Sequence, residues 1–343
     1  MNPLNSPKVF EIAHSLGLAR SLSPSEAVLH YCEQRIGGFL DLFPDCATPQ
    51  DLLEITKGMP KAKFERIDSD EDLDSLVRTY CDRRELAFAN LANELCPTTY
   101  GISIRLQRAA PYQPQFICVI DCRGEKRLRS YFTKWHELGH LLILTDEQQH
   151  TFHRSHTAYG EKEPEEVLVD LLAGHFGFFP AFLTPELTQP LSFATINRIR
   201  ARLFKEASLI ASATACVKSH QHPYLLVEAK VALSERQKTA LHQGTFDFFH
   251  GPDPKLRAVT VVSNDAARRS KFNIPKTFRV PERSAIFRVH SGESGWLSAT
   301  EELDWWESSD SRRLPRTPIR VEARGGFNAT LALLSPNYGD GQD

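Results

Sequence analysis

His136-Glu137-Leu138-Gly139-His140 is an HExxH pattern. On an α-helix, residues four apart share one face and lie about 6 Å apart. Two imidazoles so placed can fill adjacent positions around a single divalent cation, and zinc is the expected one. Glu137 is offset by about 100° around the helix. It is poorly placed to be a third ligand beside the histidines and well placed to take a proton from a water on the metal. Zinc lowers the pKa of such a water to about 7, and the glutamate completes the activation. The chemistry this spacing predicts is metal-assisted hydrolysis.

A catalytic zinc site needs a third protein ligand and an open fourth position. His150, His153, His156, Glu161, Glu163, Glu165, Glu166 and Asp170 all follow the pattern closely enough to serve. Ile143 and Asp146 stand where HExxHxxGxxH requires Gly and His, which excludes the metzincin spacing. A glutamate from a later helix is the alternative. Glu166 sits in the first turn of EEVLVDLLAGHFGF, whose Leu168, Leu171, Leu172 and Phe176 make an apolar face. We expect Glu166 as the ligand, although Glu163, Glu165 and Glu166 would all stabilise a helix N-terminus. His156 and Tyr159 lie between the two segments, where either could polarise a carbonyl or stabilise an oxyanion. A loop histidine and a packed tyrosine are the plainer readings.

The run Tyr131-Phe132-Thr133-Lys134-Trp135-His136-Glu137-Leu138-Gly139-His140 resembles the RFTxAHELGH signature of the ImmA/IrrE metallopeptidases. Glu166 to Ala173, followed by Pro180, resembles that family's second motif, ExxAN/DxxA…P. The resemblance covers roughly residues 69–182. It implies a zinc metalloendopeptidase with His136, His140 and Glu166 as ligands. Glu137 would be the general base and later the proton donor to the leaving amine. It also implies a protein substrate, a specific helix-turn-helix repressor whose cleavage releases stress-response or mobile-element genes. The sequence departs from the family pattern at Trp135, Asp170 and Phe178-Phe179. Longer, IrrE-like members continue with a helix-turn-helix-like segment and a GAF-like sensor domain, and residues 185–222 and 223–336 resemble these in order. A reading from a different class is a non-catalytic zinc-fold sensor or regulatory module acting through protein or DNA binding.

The elements that must position these residues can be read from periodicity. EKRLRSYFTKWHELGHLLIL predicts a helix over 125–144. Before it, Ile102, Ile104 and Leu106 alternate with Ser103 and Arg105. Phe116, Cys118, Ile120 and Cys122 alternate in the next run, so two neighbouring strands are expected. Residues 69–95 predict a helix with Leu73, Leu76, Val77 and Tyr80 on one face. Residues 1–68 read as helices and loops, one helix starting at Ser23-Pro24. A helix over 165–178 and one or two over 192–219 follow. From 223 onward YLLVEAKVAL, RAVTVVS, AIFRVH, IRVEA and ATLALL read as extended. The expected fold is α+β: a helical extension at 1–68, a zincin-like metallopeptidase domain at 69–184, a helical segment at 185–222 and a β-rich domain at 223–343.

Composition sets outer limits. The 21 Phe, 8 Tyr and 4 Trp among 343 residues exclude a wholly disordered chain. With 41 basic and 43 acidic residues the net charge is -2, so nucleic-acid binding would need a local basic patch. Arg198, Arg200, Arg202 and Lys205, and nine Lys or Arg within 255–288, are the candidates. No run of 18 uncharged apolar residues is present, so no membrane span is expected. Nor does the start of the chain read as a secretory signal. Seven cysteines without a CxxC pair argue against a disulfide framework and for a cytoplasmic setting. Trp305-Trp306 reads as core packing or as an exposed anchor.

Overall fold

A computed structural model describes residues 2–18, 23–43, 45–144, 163–243, 253–308, 313–326 and 328–337, and the backbone of 151–155. The fold is α+β with two sheets, one in each of two compact units. The first unit comprises Met1–Phe182 and Arg200–Ser208, the second Leu183–Ile199 and Leu209–Asp343.

The first unit runs α1 (Pro7–Ser15), α2 (Pro24–Leu40), α3 (Pro49–Gly58), β1 (Ala62–Ile67), α4 (Asp70–Asp82), α5 (Leu91–Glu94), β2 (Thr99–Arg105), β3 (Phe116–Asp121), α6 (Ser130–Leu142), β4 (Thr151–Ser155) and α7 (Pro164–Gly177). The short α8 (Pro180–Leu183) and α9 (Phe193–Leu203) cross the divisions between units. Helices α1, α2 and α3 begin alike. Ser6, Ser23 and Thr48 accept a backbone N–H at the N-cap, and proline occupies the first helical position. Proline there forgoes only a hydrogen bond that the first turn would lack anyway.

The sheet order is β1-β3-β2-β4, with β1 parallel to β3 and the other pairs antiparallel. Alternation gives its two faces different work. Ile102, Ile104, Ile117 and Val119 pack against Leu73 and Tyr80 of α4 and against Phe88 and Leu91. Each fully buried side chain there contributes about 1.5–3 kcal/mol. The opposite face carries α6, which packs on β2 and β3 and, on its other side, on α7. Asp121 at the end of β3 is fully buried. It meets Arg123 at 2.8 Å and Lys126 at 2.7 Å, and Arg123 reaches Asp70 at the start of α4. Burial pushes the Asp121 carboxyl up, but these two cations hold it below its ordinary value.

Several local expectations fail. Residues 62–67 form β1 rather than helix or loop. Only Ala62 and Ile67 are buried, so this strand at the sheet's margin carries no apolar alternation to read. Thr151–Ser155, between the helices expected over 125–144 and 165–178, is β4 beside β2. AIFRVH, expected as extended, is the helix α13 described below. Residues 124–129 are a 3-10 turn leading into α6, and the single helix expected over 69–95 is divided into α4, a 3-10 turn and α5. Helix α2 continues past Gly37-Gly38 to Leu40.

The second unit contains α10 (Leu209–Ser219), β5 (Leu225–Ala232), α11 (Glu235–His242), β6 (Lys255–Ser263), α12 (Asp265–Arg269), α13 (Ala285–His290), β7 (Trp296–Glu302), β8 (Pro318–Gly325) and β9 (Thr330–Pro336). Its sheet is antiparallel throughout, in the order β6-β5-β9-β8-β7. Helix α13 packs on β7, β8 and β9. Ala285, Ile286 and Val289 are buried at helical spacing, and Ser284 caps the helix. Trp306 is fully buried in this core with Val227, Ile319 and Val321. Trp305 lies under the Arg283 guanidinium, 3.7 Å from its ring centroid. The pair therefore serves packing.

One described helical stretch, Pro164–Glu186, is long and apolar enough to cross a membrane by length and composition. It bears Glu165, Glu166 and Asp170 and packs on α6 as a core element.

Candidate metal centre

Helix α6 is buried along almost its whole length, from Ser130 to Leu142. Trp135, Leu138, Leu141 and Leu142 anchor it, and Trp135 stacks near Phe176 of α7 with centroids 6.4 Å apart. The large side chain at position 135 thus fills the α6–α7 interface. Gly139 allows these helices to approach, since a Cβ there would lie 2.9 Å from Val169 Cγ1. That closeness brings the start of α7 to the histidine face of α6.

His136, Glu137 and His140 are 1%, 0% and 3% exposed. His136 Nε2 and His140 Nε2 are 3.2 Å apart. Glu166 places one carboxylate oxygen 3.2 Å from each of them. Ligand atoms in a tetrahedron with bonds of about 2.0–2.1 Å are separated by about 3.3 Å. The donor set matches that edge, and these three residues form a group able to hold a metal ion.

The histidine tautomers point the same way. His136 Nδ1 lies 3.0 Å from Asp170 Oδ1, and His140 Nδ1 lies 3.5 Å from Glu165 Oε1. A carboxylate only accepts, so at the closer contact the His136 Nδ1 carries the proton and its Nε2 turns a lone pair inward. Two imidazole nitrogens and a carboxylate then face one point, where positive charge, from a proton or a metal ion, is favoured. The electrostatics agree. Burial opposes a protonated His140, yet hydrogen bonds to Glu165 and Glu166 pull it up to about 9. Burial likewise pushes the Glu166 carboxyl up, but the two imidazoles hold it far below the usual range. The residues present therefore fit a divalent cation.

Glu137 stands beside this group without joining it. Ser103 Oγ of β2 donates to Glu137 Oε2 at 2.7 Å. Ser103 Oγ is also 3.1 Å from the Cys118 sulfur, a thiol that burial and the nearby Glu137 push up. A Cβ on Gly101 would come within 2.7 Å of Glu137 Oε1 and 2.6 Å of Thr133 Cγ2, so only glycine lets β2 lie this close. Two contacts hold the back of the site. Arg35 of α2 donates to Leu142 O at the end of α6 (3.1 Å), and Glu33 meets His175 of α7 at 2.8 Å. Residues 1–68 thus belong to the same unit as the HExxH helix and brace both α6 and α7.

Of the residues singled out by sequence, His136, His140 and Glu166 converge, and Glu137 lies alongside them. Glu165 and Asp170, candidate ligands by position, contact the outer nitrogens of the histidines instead. Glu163 is exposed at the start of α7. His150, His156, Tyr159, Glu161 and the side chain of His153 lie outside the described residues. Ser103 and Gly101 were missed. They occupy the face of β2 opposite Ile102 and Ile104, and two small residues on that face were the available signal. The basic stretch within 255–288 is interrupted by its own partners. Lys255, Arg268, Arg279 and Arg288 pair with Asp253, Asp265, Glu282 and Glu293, and Arg257 donates to backbone carbonyls.

No protein-family model matches the chain, and no curated protein matches it significantly.

Proposed function

We propose that the chain is a zinc-dependent metalloendopeptidase of the ImmA/IrrE kind, with a zincin-like first unit. The observation that carries this is the His136–His140–Glu166 group with Glu137 fixed next to it as a non-ligand. Two imidazoles and one carboxylate suit zinc among the divalent metals. Zinc held there would activate a water and polarise the scissile carbonyl. Glu137 takes the proton of the attacking water on its carboxylate and passes it to the leaving amine. Ser103 fixes the orientation of that carboxylate. Asp170 keeps the His136 imidazole in the ligating tautomer, and Glu165 stands by the outer nitrogen of His140. The burial of α6 strengthens every charge interaction at the centre.

The substrate we propose, following the motif resemblance, is a helix-turn-helix repressor acted on in the cytoplasm. The seven free cysteines are in keeping with that compartment. The test uses zinc-loaded wild type and Glu137→Gln against any helix-turn-helix repressor encoded by a neighbouring gene, with products read by mass spectrometry. Cleavage by wild type alone supports the reading. Equal cleavage by both contradicts it. A zinc-bound wild type that cleaves neither such a repressor nor a peptide library favours the non-catalytic module.

A further inference from the structure

The second unit holds a cavity of about 440 Å³, bounded by the 187–190 segment, the turn after α10 and the ends of three strands. Register sets a polar row along it. Leu225 of β5 pairs with Leu334 of β9, and Ser335 of β9 pairs with Arg320 of β8. Tyr224, one residue before Leu225, therefore stands opposite Ser335. Tyr224, Ser335 and Arg320 share one face across three strands.

The facing wall is the turn His220-Gln221-His222-Pro223, and it is rigidly built. Asn264, 1% exposed, donates to His220 O at 2.8 Å and to His222 O at 2.6 Å. Its own carbonyl oxygen accepts from Tyr224 N at 3.3 Å and Ala267 N at 2.9 Å. His220 Nδ1 accepts from His222 N at 3.1 Å, and the Tyr224 hydroxyl accepts from Leu191 N at 2.9 Å. The Tyr224 hydroxyl is also hydrogen-bonded to Ser335, so the two hydroxyls form one linked pair on this face.

The charge balance of the cavity is one-sided. Among the described residues, no Asp or Glu lines it. Among the described residues, Arg320 has no ion-pair partner and the His222 ring no hydrogen-bond partner. Glu322, two residues along β8, is engaged by Phe193 N and by the Trp296 indole N–H. A guanidinium, an imidazole and two hydroxyls on a fixed frame make a receptor for a carboxylate or phosphate. Pro190, Pro223, Pro336 and Leu187 supply apolar walls. The volume falls in the range of small-molecule sites.

We infer that this cavity binds a small organic anion, with a carboxylate or phosphate head on Arg320 and an apolar body against the prolines. Isothermal titration of the full chain with benzoate and with phenyl phosphate tests it, because these probes share a body and differ in the head group. Saturable binding of one or both is expected, and the better probe identifies the head. Arg320→Gln should weaken it about tenfold or more. Arg324→Gln, which removes a charge from the same face of β8, should leave it unchanged. The His140→Ala chain should bind as wild type does. Absence of binding by both probes up to about 10 mM overturns the inference. So does an equal loss in Arg324→Gln, retention in Arg320→Gln, or a dependence on His140.

Discussion

Both units bury charged and polar side chains, but they use them differently. In the second unit Glu301 accepts from Ala285 N and Ser284 Oγ, Glu322 from Phe193 N, and Arg257 donates to Thr277 O. Each is spent on backbone groups near the ends of elements, where an unsatisfied donor or acceptor would cost about 1–3 kcal/mol. In the first unit, His136, His140 and Glu166 converge on one another. Nothing in folding requires three such groups at 3.2 Å. Buried polarity that closes on the backbone holds a fold together, whereas buried polarity that closes on itself marks a site awaiting a charge.

Four experiments break or sharpen that contrast. The largest effect is expected from His140→Ala, which leaves two ligands. Zinc should be lost altogether by elemental analysis, while far-ultraviolet signal from the second unit's sheet persists. Next is Trp306→Ala in the second core. It should cost about 3–5 kcal/mol in urea unfolding and leave zinc affinity in the folded chain unchanged. Loss of zinc there would show that the two kinds of burial are not separable.

A smaller change is expected at the outer nitrogens. Asp170→Ala should weaken zinc about 10–100-fold in a chelator competition, and Asp170→Asn, which keeps an acceptor, should weaken it less. The smallest effect concerns Asp121, whose folded carboxyl lies below its unfolded value of about 3.9. Its contribution to stability is complete above that value and is lost as pH falls through the lower folded one. Asp121→Asn should therefore cost about 1 kcal/mol at neutral pH. The gap from wild type in urea midpoints should close below about pH 4. A gap independent of pH would mean that packing rather than charge is lost.

The convergence of the two histidines was legible because helical spacing is short-range physics: His136 and His140 share a face once α6 forms. Glu166 was legible from its place in the first turn of α7. Asp170 and Glu165 were visible as candidates but not in their roles, because which nitrogen of a histidine a carboxylate meets depends on how α6 and α7 cross. Ser103 and Gly101 depend on a strand lying against that helix, a contact between residues more than thirty positions apart. β1 escaped because its exposed side chains are charged. AIFRVH was misread because its apolar residues suit both periods, and the Ser284 cap and the Val289 spacing were the better guides.

The central claim is a nitrogen- and oxygen-ligated metal held by His136, His140 and Glu166. X-ray absorption at the zinc edge on stoichiometrically loaded wild type tests it most directly. The account predicts one ion per chain, light-atom ligands at about 2.0–2.1 Å with multiple scattering from two imidazoles, and no sulfur shell. A sulfur shell at about 2.3 Å, or a chain that takes up no zinc, would contradict it.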